Sequence, residues 1–232
     1  MPPPGIEIGL LKIFIYSKML FLRREVNMLL IFDFDGTIVD SKALYYDAIY
    51  KNVKRFGYTY EDVDRVIDLG ANLRKTLRKL GLNFFVTAYM KRKVMKDVVK
   101  NLKNVKECRD VESIKKLGEE KILVTNSLKS AVLPLLLHFK LEGEFREVYG
   151  FEDFVDKGKF LKKYIFDKKI NPRECYYIGD RATDVKVARK AGCNSVIITG
   201  KCAWDSKQEI LEQQPDFIIH SIKDLKELIK EI

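Results

Sequence analysis

Residues 28–37 read MLLIFDFDGT, an apolar run followed by two aspartates two positions apart. Residues 28–32 are apolar at odd and even positions alike, which is typical of a strand covered on both faces in a parallel sheet. Ligands bind at the carboxyl ends of such strands, where Asp33 and Asp35 would lie. Because two buried carboxylates repel each other unless a cation compensates them, the stretch predicts a charged site. Taken alone, an acidic turn at Gly36 is the alternative.

Strands and helices alternate through the second half of the chain. Short apolar runs predict strands over residues 121–125, 147–150, 175–179, 195–199 and 216–219. Helical spacing predicts helices over residues 127–139, 159–169, 183–191 and 222–232. Such alternation is typical of right-handed βαβ units. We therefore predict an α/β fold with a doubly wound, mostly parallel sheet that includes the strand before Asp33.

The segment between the first strand and the rest of the sheet has a helical pattern. The spacing of its apolar residues predicts helices over residues 42–56, 61–70, 71–80 and 84–102, with Ser41 as the first N-cap and no strand. We expect this segment to be a cap inserted into the sheet domain. The predicted domains are an N-terminal extension (1–27), an α/β core (28–40 and 117–232) and a helical cap (41–116).

The net charge of +10 comes entirely from the predicted cap. Residues 41–116 contain 19 lysines and arginines against nine aspartates and glutamates. Most of these cations are expected on solvated helix faces. A functional interpretation is a positive field over a site for anionic substrates. Nucleic acid ranks second as a partner, because the chain has a basic stretch but no recognised nucleic-acid motif.

The remaining composition limits metal type and cell compartment. The four cysteines show no Cys-x-x-Cys spacing, and the two histidines are far apart in sequence. This pattern argues against zinc and favours reduced thiols in a cytoplasmic protein. Residues 1–27 are partly apolar but interrupted by charges, which fits neither a membrane span nor a secretory signal. We expect an extension outside the core, translated from an upstream start codon.

Polar groups follow three other predicted strands. Thr125 and Asn126 precede a predicted helix, where a hydroxyl and backbone amides suit a phosphate, although Thr125 could simply cap the helix. Residues 156–159 read DKGK and offer a lysine to neutralise a phosphoryl group, unless that lysine is solvated. Asp180 and Asp184 would converge on a hard cation such as Mg²⁺. Alone, Asp184 could merely favour the helix dipole.

Taken in this order, the motifs resemble those of the haloacid dehalogenase superfamily. They are DFDGT at 33–37, a strand ending in Thr125, a lysine near 157, and GDRATD at 179–184. The place of the insertion and the segment GTIVDS at 36–41 resemble phosphoglycolate phosphatase-like members. The resemblance covers the chain from about Met28. It implies a Rossmann-like core, a helical cap and Mg²⁺-dependent hydrolysis of a small phosphorylated metabolite.

The resemblance also implies roles for the acidic residues. Asp33 would attack phosphorus and form an aspartyl-phosphate. Asp35 would protonate the leaving alkoxide and then take a proton from water. Mg²⁺ would be held by the Asp33 carboxylate, the Asp35 backbone carbonyl and Asp180, with Asp184 in support. The dehalogenase and phosphonatase branches lack an aspartate at the position of Asp35, so its presence indicates an oxygen-ester substrate.

Phosphate binding would fall to Thr125, Asn126 and Lys157. Many relatives have Lys-Pro at the third motif, whereas this chain has Lys157-Gly158-Lys159. Lys157 is favoured because its spacing matches members that lack the proline, and Lys159 is the alternative. Two other functions stay open at this point: a sugar phosphomutase of the same superfamily, and a basic nucleic-acid-binding protein on a relict scaffold. The sequence indicates neither the exact substrate nor the oligomeric state.

Overall fold

A parallel sheet forms the centre of the molecule. The computed structural model describes residues 28–67 and 73–232. Its strands are β1 Leu29–Phe32, β2 Val39–Asp40, β3 Lys106–Glu107, β4 Glu120–Val124, β5 Glu147–Tyr149, β6 Cys175–Gly179, β7 Asn194–Ile198 and β8 Phe217–Ile219. Six of them form one sheet in the order β5-β4-β1-β6-β7-β8, with every pairing parallel. The predicted α/β fold class is confirmed.

Helices cover both faces of this sheet. The helices are α1 Lys42–Val53, α2 Tyr60–Val66, α3 Leu73–Lys79, α4 Phe84–Asn101, α5 Lys129–His138, α6 Lys157–Asp167, α7 Ala182–Ala191, α8 Lys207–Leu211 and α9 Ile222–Glu231. Successive side chains of a strand point to opposite faces. Leu30 and Phe32 of β1 pack in a cluster with residues of α5 and α9, whereas Leu29 and Ile31 pack with residues of α6 and α7. The sheet is therefore doubly wound, as the alternation predicts.

Strand β1 lies where the strand order reverses. The chain runs from β1 to β4 and β5 on one side, and β6, β7 and β8 follow on the other side. At such a switch point the connections leave in opposite directions, and a crevice opens at the carboxyl ends of the strands. The residues that follow β1, β4 and β6 are thereby brought to one place.

Helices α1 to α4, called the helical insertion below, have an apolar core of their own. Buried residues such as Ile49, Leu77 and Met90 form a cluster distinct from the two clusters of the sheet. Helix α2 ends at Val66, and the backbone is extended at Ile67, so the predicted helix is too long at this end. Residues 68–72, which include the rest of that prediction, lie outside the described residues.

The junction between insertion and sheet holds short elements that the sequence pattern does not predict. Strands β2 and β3 pair antiparallel, so the expectation of no strand in residues 41–116 is wrong. Two residues are too few to show a period-2 pattern, which explains the omission. Residues 105–117 contribute Val105, Val111 and Ile114 to a cluster of the sheet. Helix α8 is likewise short and was not predicted.

Two further expectations concern the N-terminus and the cysteines. The predicted extension, residues 1–27, lies outside the described residues. Within residues 28–67 and 73–232, no helix is both long and apolar enough to cross a bilayer. All four cysteines are free thiols.

Candidate active site

Asp33 directly follows β1, between the ends of β4 and β6. Its backbone N–H donates to the carbonyl oxygen of Ile178 over 2.8 Å, which extends the β1–β6 ladder by one residue. Its Oδ1 accepts a hydrogen bond from the Phe34 N–H, also at 2.8 Å. The carboxylate is therefore held in one orientation at the switch point of the sheet.

Asp33, Asp180 and Asp184 form a carboxylate cluster. One oxygen from each of them lies within 4.8 Å of the others. Asp180 is completely buried, and Asp184 is nearly so. Gly36 leaves room for this packing: its φ is +77°, and a Cβ there would lie 2.2 Å from Asp180 Oδ2. Glycine thus serves both the left-handed turn and the close approach of a carboxylate.

Burial and mutual repulsion disfavour the charged forms of Asp180 and Asp184 in this cluster. Burial raises the pKa of Asp180 well above its usual range, and repulsion from Asp184 adds to the rise. Burial also raises the pKa of Asp184 to about 6, with repulsion from Asp33 as the next cause. Three buried carboxylates at this spacing offer the oxygen ligands that a hard divalent cation prefers. The residues present therefore fit Mg²⁺.

Lys157 supplies the cation that the sequence predicts at the third strand end. Its Nζ lies 3.1 Å from Asp33 Oδ1 and donates to the Tyr177 hydroxyl over 2.9 Å. The Tyr177 hydroxyl in turn donates to Asp184 Oδ1. Lys159 is exposed. Tyr177 was missed from the sequence, although a tyrosine in a fully buried strand must find a hydrogen-bond partner, and that signal was available.

The Asp35 carboxylate is held by two hydroxyl groups. Ser41 Oγ donates to Oδ1 over 2.5 Å, and Ser127 Oγ donates to Oδ2 over 2.6 Å. Burial raises the pKa of Asp35, and these two hydroxyls offset part of the rise. Among the described residues, the carboxylate cluster contains the other three predicted acids but not the Asp35 side chain. Ser41 stands at the predicted N-cap of α1, but its hydroxyl binds Asp35 instead of capping the helix.

Thr125 and Asn126 reach the same region from the end of β4. Thr125 is fully buried, and its Oγ1 accepts a hydrogen bond from the Ser127 N–H at 3.1 Å. Asn126 is exposed. Helix α5 begins at Lys129 and not at Ser127, so the segment is a turn and not the first turn of a helix. The predicted helix, residues 127–139, therefore begins two residues too early.

A cleft of about 600 Å³ joins these residues to the helical insertion. From the sheet side it is lined by predicted site residues: Asp33, Asp35, Thr125, Asn126, Lys157 and Asp184. From the insertion it is lined by Tyr45, Leu73, Lys91 and Met95. Asp180 does not line the cleft, but its carboxylate lies within 4.8 Å of those of Asp33 and Asp184, which do. Lys91 Nζ is 5.5 Å from the centre of the Phe151 ring across the cleft. The structure thus brings all seven predicted site residues to one place.

The loop after β7 borders the cleft through Trp204 and was not predicted from the sequence. The Trp204 backbone N–H donates to Asp180 Oδ2 over 2.7 Å. Arg181 forms an ion pair with Asp205 at 2.9 Å. Lys42, at the start of α1, donates to the Trp204 carbonyl oxygen over 2.9 Å. These contacts join strand ends, loop and insertion, and only the fold brings them together.

The fold and the site together define a class: an α/β enzyme with a cluster of buried carboxylates at the switch point of a parallel sheet. The chain belongs to the haloacid dehalogenase-like hydrolase family, whose sequence model matches residues 30–198. The resemblance in the motifs is thereby confirmed.

Individual relatives agree with this family. The chain is 27% identical over 218 residues to a phosphoglycolate phosphatase from Aliivibrio fischeri, covering 85% of this chain and 94% of that one. It is 24% identical over 226 residues to phosphoglycolate phosphatase 1 from Pseudomonas aeruginosa, covering 88% and 80%. The fold is similar to that of a haloacid dehalogenase-like family hydrolase from Streptococcus pneumoniae, with a TM-score of 0.74, 18% identity and coverage of 89% and 99%. The predicted enzyme class, a phosphoric monoester hydrolase, is confirmed.

Proposed function

We propose that the protein is a Mg²⁺-dependent phosphatase that hydrolyses a small phosphorylated metabolite through an aspartyl-phosphate. The observation that carries this proposal is the meeting of Asp33, Lys157 and the carboxylate cluster in one cleft. A nucleophile, a fixed cation and a site for a divalent ion are the parts that phosphoryl transfer requires. The hydrolase family match favours hydrolysis over the mutase and nucleic-acid alternatives.

The reaction would proceed in two steps on this chain's own residues. Asp33 attacks phosphorus and displaces the alcohol, forming an acyl phosphate on its carboxylate. Asp35 donates a proton to the departing oxygen and later accepts one from the water that attacks the acyl phosphate. The raised pKa of Asp35 suits the first of these tasks, because the carboxyl then holds its proton more readily. Water cleaves the acyl phosphate and restores Asp33.

The phosphoryl oxygens would be bound by Lys157, the Thr125 hydroxyl and the Asn126 amide. Lys157 has its Nζ beside Asp33, so it can neutralise charge on the transferring group. The cation would be held by the carboxylates of Asp33 and Asp180 and the backbone carbonyl of Asp35, with Asp184 in support. When bound, Mg²⁺ supplies charge stabilisation for the phosphoryl group and offsets its repulsion from the nucleophile.

The helical insertion would act as the cap, with residues 41–116 as its predicted extent. It contributes Tyr45, Lys91 and Met95 to the cleft, so it would limit the site to small substrates and exclude bulk water. The two curated relatives act on phosphoglycolate according to their names, which makes a short phosphorylated carboxylic acid the first substrate to test. The free thiols support a cytoplasmic location.

The experiment is a hydrolysis assay on a panel of phosphate esters, including phosphoglycolate and p-nitrophenyl phosphate, with Mg²⁺ and with chelator. We expect Mg²⁺-dependent release of phosphate by the wild type and loss of turnover in Asp33→Asn. Asp40→Asn is the matched control, because Asp40 is an exposed aspartate of the same segment. Borohydride trapping during turnover should reduce the side chain at position 33 alone. A wild type that hydrolyses no ester, or a fully active Asp33→Asn variant, would refute the proposal.

A further inference from the structure

A chain of hydroxyl groups connects the helical insertion to Asp35. The Tyr45 hydroxyl lies 3.2 Å from Ser127 Oγ, and Ser127 Oγ donates to Asp35 Oδ2 over 2.6 Å. A serine hydroxyl has one proton, and Ser127 uses it on the carboxylate. The Tyr45 hydroxyl must therefore be the donor to Ser127. The order of donation runs from the insertion towards the carboxyl group.

The three members of this chain come from three separate parts of the fold. Tyr45 belongs to α1, Ser127 follows β4, and Asp35 follows β1. The Tyr45 ring also packs edge-on against Trp204, with 5.6 Å between ring centres. Trp204 in turn holds Asp180 through its backbone N–H. Tyr45 is thus a residue of the insertion that contacts Ser127 on the Asp35 side of the cleft and Trp204 on the Asp180 side.

These bonds restrict how Asp35 can turn. Ser41 and Ser127 bind its two oxygens from different directions, which leaves the carboxyl plane little freedom. Each carboxylate oxygen has two acceptor positions, so a hydrogen bond to a leaving group is still possible. A hydroxyl that accepts a hydrogen bond is a stronger donor in a poorly hydrated site. Tyr45 therefore strengthens the hold of Ser127 on Asp35.

We infer that Tyr45 and Ser127 are positioning residues that orient the Asp35 carboxyl and make this orientation depend on where α1 lies. When α1 is in the described arrangement, Asp35 is aligned for proton transfer to the leaving oxygen. When α1 moves away, Ser127 loses its donor and Asp35 loses part of its alignment. This inference rests on the proposed function, since it assigns Asp35 the proton-transfer role.

The test separates proton transfer from general damage by varying the leaving group. An alkyl phosphate needs a proton on its departing oxygen, whereas p-nitrophenolate leaves without one, and kcat/KM reports only steps up to departure of the alcohol. We expect Ser127→Ala to lower kcat/KM roughly 30-fold for an alkyl phosphate and no more than about threefold for p-nitrophenyl phosphate. Tyr45→Phe should lower kcat/KM about fivefold for the alkyl phosphate and less than about twofold for p-nitrophenyl phosphate.

Three controls accompany these variants. Ser127→Thr keeps the hydroxyl and should restore most of the alkyl-ester activity. Tyr50→Phe removes a hydroxyl from the same helix, where Tyr50 packs on Tyr60. It should leave kcat/KM unchanged for both esters. Trp204 is the only tryptophan of the chain, so its emission reports whether the contact with the residue 45 ring survives. Tyr45→Phe should leave that emission unchanged.

Each result has a definite meaning. Equal losses for the two ester types in Ser127→Ala and Tyr45→Phe, in an otherwise active enzyme, would overturn the positioning role while the proposed phosphatase stands. Higher alkyl-ester activity in these variants would overturn it too, because the hydroxyls would then be restraining Asp35. If the wild type hydrolyses neither ester, the proposed function fails and this inference fails with it.

Discussion

The carboxyl ends of β1, β5 and β6 and the helical insertion both carry charge, but they hold it in opposite ways. At the strand ends, Asp33, Lys157 and Asp180 are buried, and each is in contact with another polar group of the site. In the insertion, the lysines of α4 other than Lys91 are exposed. Yet residues 41–116, which contain the insertion, carry the whole net charge of the chain.

Burial, and not the number of charges, therefore marks the chemical centre of this molecule. A buried charge costs several kcal/mol unless it is paired, so an arrangement of three such groups is retained only where partners or ligands compensate it. An exposed lysine costs nothing of this kind and contributes little to binding. Variants of the two regions should therefore differ in the size and in the kind of their effects.

The largest effect is expected at the carboxylate cluster. Asp180→Asn removes a charge from the cation site and should lower kcat/KM roughly 10³-fold, which corresponds to about 4 kcal/mol of transition-state stabilisation. It should also abolish the rise in Tm that we expect Mg²⁺ to give the wild type, because ligand binding stabilises only the state that binds it. Calorimetry with and without Mg²⁺ measures the second effect independently of turnover.

The matched control for Asp180→Asn is Asp47→Asn, an exposed aspartate of α1. It should retain both the activity and the Mg²⁺-induced rise in Tm. An Asp180→Asn protein that still gains Tm from Mg²⁺ to the wild-type extent would show that the cation does not depend on this cluster.

A smaller effect of a different kind is expected inside the insertion. Leu77 is completely buried in the separate apolar cluster of the insertion, so Leu77→Ala should lower the free energy of unfolding by about 3 kcal/mol. Since Asp33, Asp180 and Asp184 are not part of that cluster, the expected Mg²⁺-induced rise in Tm should persist. Urea denaturation monitored by circular dichroism measures the first quantity. As a control, Leu133→Ala, at a half-exposed leucine of α5, should lower the free energy of unfolding by less than about 1 kcal/mol. A loss of Mg²⁺ binding in Leu77→Ala would contradict the prediction, because it would show that the insertion core and the carboxylate cluster are energetically coupled.

The contrast between the regions also explains what the sequence could predict. The strand ends were predictable because parallel strands place their carboxyl ends at one edge, so Asp33, Thr125 and Asp180 follow from strand positions. The choice of Lys157 over Lys159 rested in addition on the spacing in the family that the motifs resemble. Helix ends were less predictable: α5 starts at Lys129, two residues after the predicted start at residue 127, and the Ser127 hydroxyl donates to Asp35.

Contacts that cross from one element to another were not predictable from spacing. Tyr45 meets Ser127 over 82 residues of sequence, and Trp204 meets Asp180 over 24. No periodicity encodes such a pair, since each partner is placed by the packing of its own helix or loop. Of the basic residues in the insertion, Lys91 faces the cleft, whereas Arg74 and Arg78 stack on Phe84. The spacing of residues in the sequence does not distinguish Lys91 from Arg74 and Arg78.

Lys91 is the cation of the insertion expected to matter for substrate binding. It is half-buried at the cleft, opposite Phe151, where it can pair with an anionic group of a substrate bound at Asp33. Lys91→Ala should raise KM for phosphoglycolate roughly tenfold with little change in kcat, because a charged hydrogen bond is lost equally from ground and transition states. Initial-rate kinetics measures both constants. Lys93→Ala, two positions along the same helix and exposed, should leave KM unchanged; equal effects at the two lysines would mean that location at the cleft is irrelevant.

The smallest effect is expected from the exposed cations taken together. Lys93, Lys96 and Lys100 lie on the solvent side of α4, and the combined change of all three to glutamine removes three positive charges without touching the cleft. At about 0.15 M salt the screening length is about 8 Å, so kcat/KM should change less than about twofold. A field that gathers anionic substrates would instead produce a larger drop that grows as salt is lowered. Measuring kcat/KM of this variant across ionic strength therefore decides whether the excess charge of the insertion serves the site or only solvates its helices.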